Sequence, residues 1–211
     1  GTKNYSYTET SSVSPSELMT GSDWLNQPNK SQKKYLDTEA VYRQFVYENY
    51  QTVDQKLEKT IAHLFDQDEF ENTGIYSISQ HIRDTLTKYM KYDEKTNTQS
   101  ENVLEDFLNQ KISGNDVLFA SAAVEAFRHY NIPARYVEGY LLKSDAIDEE
   151  GNATLTSKDG HAWVEVYFDG MGWLPIDVTP GYYYDVYTLM NMVATPQGDN
   201  SQVNIEKGHK D

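Results

Sequence analysis

The chain has 211 residues, with 18 Lys and Arg against 33 Asp and Glu, for a formal net charge of −15 with histidine neutral. A pI near 4.6 argues against nucleic acid or an anionic membrane surface as a partner, because binding phosphates requires clustered Lys and Arg. There is no cysteine, which excludes disulfides, thiolate metal sites and a thiol nucleophile in this chain.

The length suits one domain burying roughly 70% of its unfolded surface. Composition, 38% hydrophobic and 24% charged with 17 tyrosines, is that of a globular protein rather than a disordered one. No apolar run approaches the roughly 18 residues of a spanning helix, and no signal peptide opens the chain. Gly1 reads as a remnant of tag removal, so further natural chain is expected upstream.

Residues 1–33 are rich in Ser, Thr, Asn and Lys and are expected to form a linker or arm, with Leu18, Met19, Trp24 and Leu25 available to dock. The body is expected over residues 34–194, and residues 195–211 read as a polar tail. The first half of the body carries helical periodicity. Helices are expected at Thr38–Tyr50, Val53–Phe65 (Leu57, Ile61, Leu64), Ser77–Tyr92 (Ile78, Ile82, Leu86, Tyr89) and Val103–Asn109, with an exposed acidic connection across Asp66–Glu71. The strongest runs from Asp116 to Tyr130, where Phe119, Ala122, Ala123, Ala126, Phe127 and Tyr130 form a stripe with many small residues, suited to close packing on a sheet. Pro133 stops it, because the residue before proline avoids helical geometry.

The second half alternates. Strands are expected at Ala134–Leu142, His161–Phe168 and Trp173–Val178, the last two joined by an Asp169–Gly172 turn. Helices followed by an antiparallel sheet, with the long helix packed on one face, make an α+β domain.

Pairing the two strands across that turn brings Asp177 within about three residues of the position opposite His161. A carboxylate there fixes the imidazole's tautomer and favours its charged form. The third point is Ser113-Gly114-Asn115-Asp116, a turn that feeds the N-terminus of the small-residue helix. Free N–H groups and positive dipole potential at such a site stabilise an anion and lower a thiol's pKa.

Four segments carry a resemblance: Gly114 to Ala120; Ile132-Pro133-Ala134-Arg135-Tyr136-Val137-Glu138-Gly139-Tyr140; His161-Ala162-Trp163-Val164-Glu165-Val166; and Trp173-Leu174-Pro175-Ile176-Asp177-Val178-Thr179. Together they resemble the transglutaminase-like superfamily, whose core reads G-x-C-x-x-F-A, I-P-A-R-x-V-x-G-Y, H-A-W-x-E-V and W-x-x-x-D-x-T. The resemblance covers residues from about 100 to 182, and more loosely the helices from about 35. It implies a papain-like fold, with the family's catalytic cysteine at Asp116, its histidine at His161 and its aspartate at Asp177. The lead-in Tyr35–Leu64 is similar to that of cell-surface members with membrane anchors, implying an extracellular or surface domain of a larger protein whose membrane contact lies in flanking segments.

Two of the three catalytic positions match, and the nucleophile does not. The family's thiolate attacks a glutamine or peptide carbonyl to form a thioester; a carboxylate would give a costly anhydride. Ser113 lies before the helix and Ser121 more than a turn into it, so neither replaces the thiol. Asp116 therefore has three competing readings: a plain helix N-cap contributing about 0.5–2 kcal/mol, a functional carboxylate, or a replacement of a natural cysteine.

Three roles follow. The first is a catalytically silenced domain that keeps its cleft for a peptide, protein or cell-wall ligand. The second is an active enzyme, either through a natural cysteine at position 116 or as a base- or metal-using hydrolase built on Asp116, His161 and Asp177. The third is a scaffold with no ligand. No cofactor is expected, a divalent cation being the alternative, and nothing supplies a fourth metal ligand. Trp163 and Trp173 are candidates to line the cleft, although aromatics on alternating strands more often serve the core. Arg135 and Glu138 are expected to pair, and His63, His81, His129 and His209 to face solvent or cap helices.

Overall fold

The computed structural model describes residues 27–72, 74–96, 101–110, 112–142, 146–150 and 152–185. Helix α1 spans Lys30–Tyr50, opening eight residues before the expected start and inside the segment that composition assigns to the arm. The cause is a capping box: Asn29 accepts from the amides of Ser31 and Gln32, while Gln32 accepts from the amide of Asn29.

Helix α2 is shorter than expected, Glu58–Phe65. Asp54 consumes the preceding residues in a turn, its carboxylate taking the Lys56 amide and its carbonyl that of Leu57. Helix α3, Ile75–Tyr89, ends early because Met90 is extended, and Lys91–Tyr92 becomes β1. That short strand pairs in parallel with β2, Ser113–Gly114. Helix α4 spans Val103–Gln110. Helix α5, Asp116–His129, buries nine of its residues, including Phe119, Ala122, Ala123, Ala126 and Phe127. It stops where Asn131 turns left-handed, with φ of 59°.

The main sheet is antiparallel, in the order β3 (Ala134–Tyr140), β4 (Gly160–Phe168), β5 (Gly172–Asp177) and β6 (Tyr184–Asp185). The expected hairpin is present, with Phe168 opposite Gly172 and Val164 opposite Ile176. One face of β4 (Ala162, Val164, Val166, Phe168) joins Ile176 and the α5 stripe in the core, which α2, α3 and α4 complete. His161, Trp163, Glu165 and Tyr167 alternate onto the other face.

Helix α1 covers the far end of that outer face through polar contacts. Tyr167 donates to Glu39 at 2.7 Å, the Trp173 indole N–H to the Tyr42 hydroxyl at 2.9 Å, and Arg43 pairs with Asp169 at 3.2 Å. The architecture is α+β as expected, with a central helix behind an antiparallel sheet. Of the boundaries drawn from composition, those at residues 194 and 195 lie outside the described residues.

Candidate functional site

Three elements converge at the start of α5. Asn115, not Asp116, is the N-cap: its carboxamide oxygen accepts from the Leu118 amide at 3.3 Å. Asp116 is thereby freed as the first helical residue, which overturns the plain-cap reading. Its Oδ2 accepts from the Ala162 amide of β4 at 2.9 Å and lies 3.0 Å from His161 Nδ1. On the other side of the ring, His161 Nε2 is 2.6 Å from Asp177 Oδ2. The second Asp177 oxygen accepts from the Thr179 amide at 2.9 Å. Extending the hairpin register beyond Val164 and Ile176 sets Thr179 opposite His161, so Asp177, at the end of β5, reaches the ring diagonally as the hairpin leads one to expect.

Both partners of His161 are carboxylates, an arrangement that favours a proton on each ring nitrogen and so the imidazolium. Burial, with only 8% of the residue exposed, works against that charge. Hydrogen bonds and Coulomb attraction from Asp116 and Asp177 outweigh it and raise the pKa to about 9. For Asp116, burial favours the neutral acid, yet the bonds from His161 and Ala162 prevail and its pKa is lowered. Tyr182 stacks over the ring at 4.6 Å, with Trp163 near parallel at 6.4 Å, placing aromatic faces beside the cation.

Asp116 and His161 open onto a groove of about 480 Å³, walled by Glu138, Gly139 and Tyr140 of β3 and by Ser157 and Gly160. A smaller hollow of about 50 Å³ also touches both side chains and is lined by Tyr92, Lys158 and Tyr182. Asp177 lines neither, being buried behind the imidazole. Gly139 is required by close approach, since a Cβ there would sit 2.6 Å from Cη2 of Trp163.

Neither tryptophan lines the groove or the hollow. Trp163 packs under Gly139. Trp173, four residues and so roughly 13 Å along the strand from Asp177, is enclosed by Tyr50, Tyr167 and the Arg135 guanidinium beneath α1. Arg135 pairs with Glu165 at 2.8 Å rather than Glu138, because the register sets those two opposite each other. Glu138 instead accepts from the Tyr136 hydroxyl. His81 is buried rather than solvent-facing, 2.8 Å from the Phe65 carbonyl and stacked on Phe70. His63 meets Gln67 and His129 meets Asp66; His209 lies outside the described residues. Ser121 donates to the Val117 carbonyl within its own helix.

Tyr182 and the Ala162 amide were not foreseen. Nothing local marks either: one depends on the path after β5, the other on a contact 46 residues apart.

Comparison with known proteins gives the family of the chain. The sequence model of the transglutaminase-like superfamily matches residues 65–178. The chain belongs to the transglutaminase-like superfamily. It is 28% identical over 140 residues to YebA, an uncharacterized protein of Bacillus subtilis, covering 64% of this chain and 18% of that protein. It is 38% identical over 77 residues to a protein-glutamine gamma-glutamyltransferase of Pseudomonas aeruginosa, covering 36% of this chain and 11% of that one. Among solved structures, the periplasmic domain of TgpA from Pseudomonas aeruginosa is 22% identical, with a TM-score of 0.46, covering 63% of this chain and 46% of that one. The transglutaminase-like domain thus spans less than a fifth of the length of either curated relative.

Proposed function

We propose that this transglutaminase-like domain is catalytically silent and keeps its groove to bind a peptide, protein or cell-wall segment. The observation that carries this reading is the closed charge relay of Asp116, His161 and Asp177, with contacts of 3.0 and 2.6 Å. Acyl transfer through a thioester needs a thiol and a base that can accept its proton. This chain has no thiol. An imidazole with a pKa of about 9 has only about one molecule in a hundred unprotonated at pH 7, so it is a poor general base. The carboxylate that faces it is lowered in pKa and is poorer still.

The same geometry weighs against the metal-using alternative. A divalent cation bound through His161 needs one of its ring lone pairs, and both ring nitrogens here face carboxylates at 3.0 and 2.6 Å. We therefore propose that the site works without metal; titration with zinc, manganese and calcium is expected to show no binding at millimolar concentration.

One observation favours the active-enzyme alternative. Asp116 projects from a helix N-terminus onto His161 Nδ1, where an activated thiolate would be stabilised. In that reading the natural residue at position 116 is cysteine, and the codon in the source gene decides it.

Extracellular or cell-surface placement belongs to the same proposal. It is supported by the likeness of the Tyr35–Leu64 lead-in to anchored members of the family; no helix among the described residues is long and apolar enough to cross a membrane. Protease accessibility on intact cells tests the placement. The function is tested by incubating the unaltered protein with glutamine-donor peptides, amine acceptors and cell-wall fragments. Binding without amine incorporation or hydrolysis is expected, and turnover above background overturns silencing.

A further inference from the structure

Beyond the three converging side chains, one more charged residue is committed to the site from a distance. Arg83 lies on α3, is only 6% exposed, and sends Nε and Nη2 to the backbone carbonyl of Asp177 at 3.2 and 3.0 Å. Removing a guanidinium from water is costly, and a fork of two N–H groups fixes the orientation of its acceptor as well as its position.

The same helix holds the chain that follows β5. The Arg83 cation lies 5.3 Å from the centre of the Tyr183 ring, and the Tyr183 hydroxyl is 2.7 Å from Thr87 Oγ1. Between these anchors the chain turns, with the Tyr182 amide donating to the Thr179 carbonyl, and lays the Tyr182 ring on His161. One segment therefore delivers both the buried acid and the aromatic cover to the imidazole, and α3 grips it at its root.

We propose that Arg83 is a positioning residue for this site, its forked bond to the Asp177 carbonyl setting the carboxylate of Asp177 against His161 Nε2. The inference rests on the reading of Asp116, His161 and Asp177 as a retained charged site.

Two effects of Arg83 on His161 have opposite sign, which makes the proposal testable. Seen only as a nearby positive charge, Arg83 disfavours the imidazolium, so its loss raises the His161 pKa. Seen as a positioning residue, its loss loosens Asp177 and lowers that pKa. The other charged groups around the ring (Asp116, Asp177 and, across the small hollow, Glu94, Lys158 and Asp159) are unaltered in the variants.

The experiment follows the His161 ring nitrogens by NMR titration in the full chain, with folding checked by circular dichroism. Arg83→Met is expected to lower the His161 pKa by on the order of one pH unit, a tenfold change in acidity. Arg83→Lys, which keeps the charge but only a single point of attachment, is expected to fall between Arg83→Met and the unaltered protein. A folded Arg83→Met whose His161 titrates as in the unaltered protein, or higher, overturns the proposal. If Arg83→Met does not fold, Arg83→Lys decides by the same criterion; if neither folds, Arg83 is a strut for the whole fold and the proposal also fails. An unaltered protein titrating near 6.5 sinks the charged-site reading itself, whereas a value near 9 that no variant moves sinks only the role of Arg83.

Discussion

The ring of His161 is held between two carboxylates. If it titrates at about 9, Asp116→Asn and Asp177→Asn should each lower that value by about 1–3 pH units, since each removes one opposite charge within bonding distance. Ring-nitrogen NMR checks this, and an unmoved titration in either variant contradicts the contact it removes. Stability should follow. A group whose pKa is raised on folding contributes fully below its unfolded value, and that contribution fades as pH climbs through the folded value. For His161 this means full benefit below about 6.5, lost as pH passes about 9. Asp116 is lowered, so its contribution is present above the ordinary carboxylate range and fades on acidification. Denaturant melts of the unaltered protein and His161→Ala should therefore diverge in mildly acid to neutral solution and converge toward pH 10. A gap that widens with rising pH would contradict this sign.

Elements differ in how far the sequence foretold them, and the differences have physical causes. Helices α2 to α5 and the β4–β5 hairpin were legible because each satisfies its own periodicity over several turns or alternations. The two-residue strands β1, β2 and β6 were not: their pairing is set by partners about twenty residues away or by the path after β5, and two residues carry no period. Helix α1 began early because an Asn–Gln capping box outweighed a polar composition. Of the site, Asp116, His161 and Asp177 were legible through motifs, whereas Arg83 was not, as its contact spans 94 residues. Trp173 misled because alternation identifies a face but not which end of it is covered; α1 takes that end. This docking makes a prediction. Glu39 is buried with one oxygen lacking a hydrogen-bond partner, so Tyr167→Phe removes a bond its carboxylate depends on and should cost about 1–3 kcal/mol. Thermal unfolding measures this, and an unchanged melting temperature would show that Tyr167 does not hold α1. In the site wall, Gly139→Ala drives a Cβ into the Trp163 ring and should cost about 1–3 kcal/mol through overpacking.

At the scale of the whole molecule, a net charge of −15 and a groove walled by Asp116 and Glu138 favour ligands that are neutral or cationic over anionic ones. Binding of a cell-wall fragment or peptide should therefore weaken as salt rises if the ligand is cationic. The family's fold is in place, and His161 and Asp177 meet Asp116 at the mouth of α5. The most direct measurement is the pH dependence of iodoacetamide alkylation of Asp116→Cys. A thiol set at the start of α5 against the imidazolium should react as a thiolate with an apparent pKa well below the usual value of about 8.5. A folded variant whose thiol ionises near 8.5 or resists alkylation would contradict the placement of position 116 at the nucleophile's post.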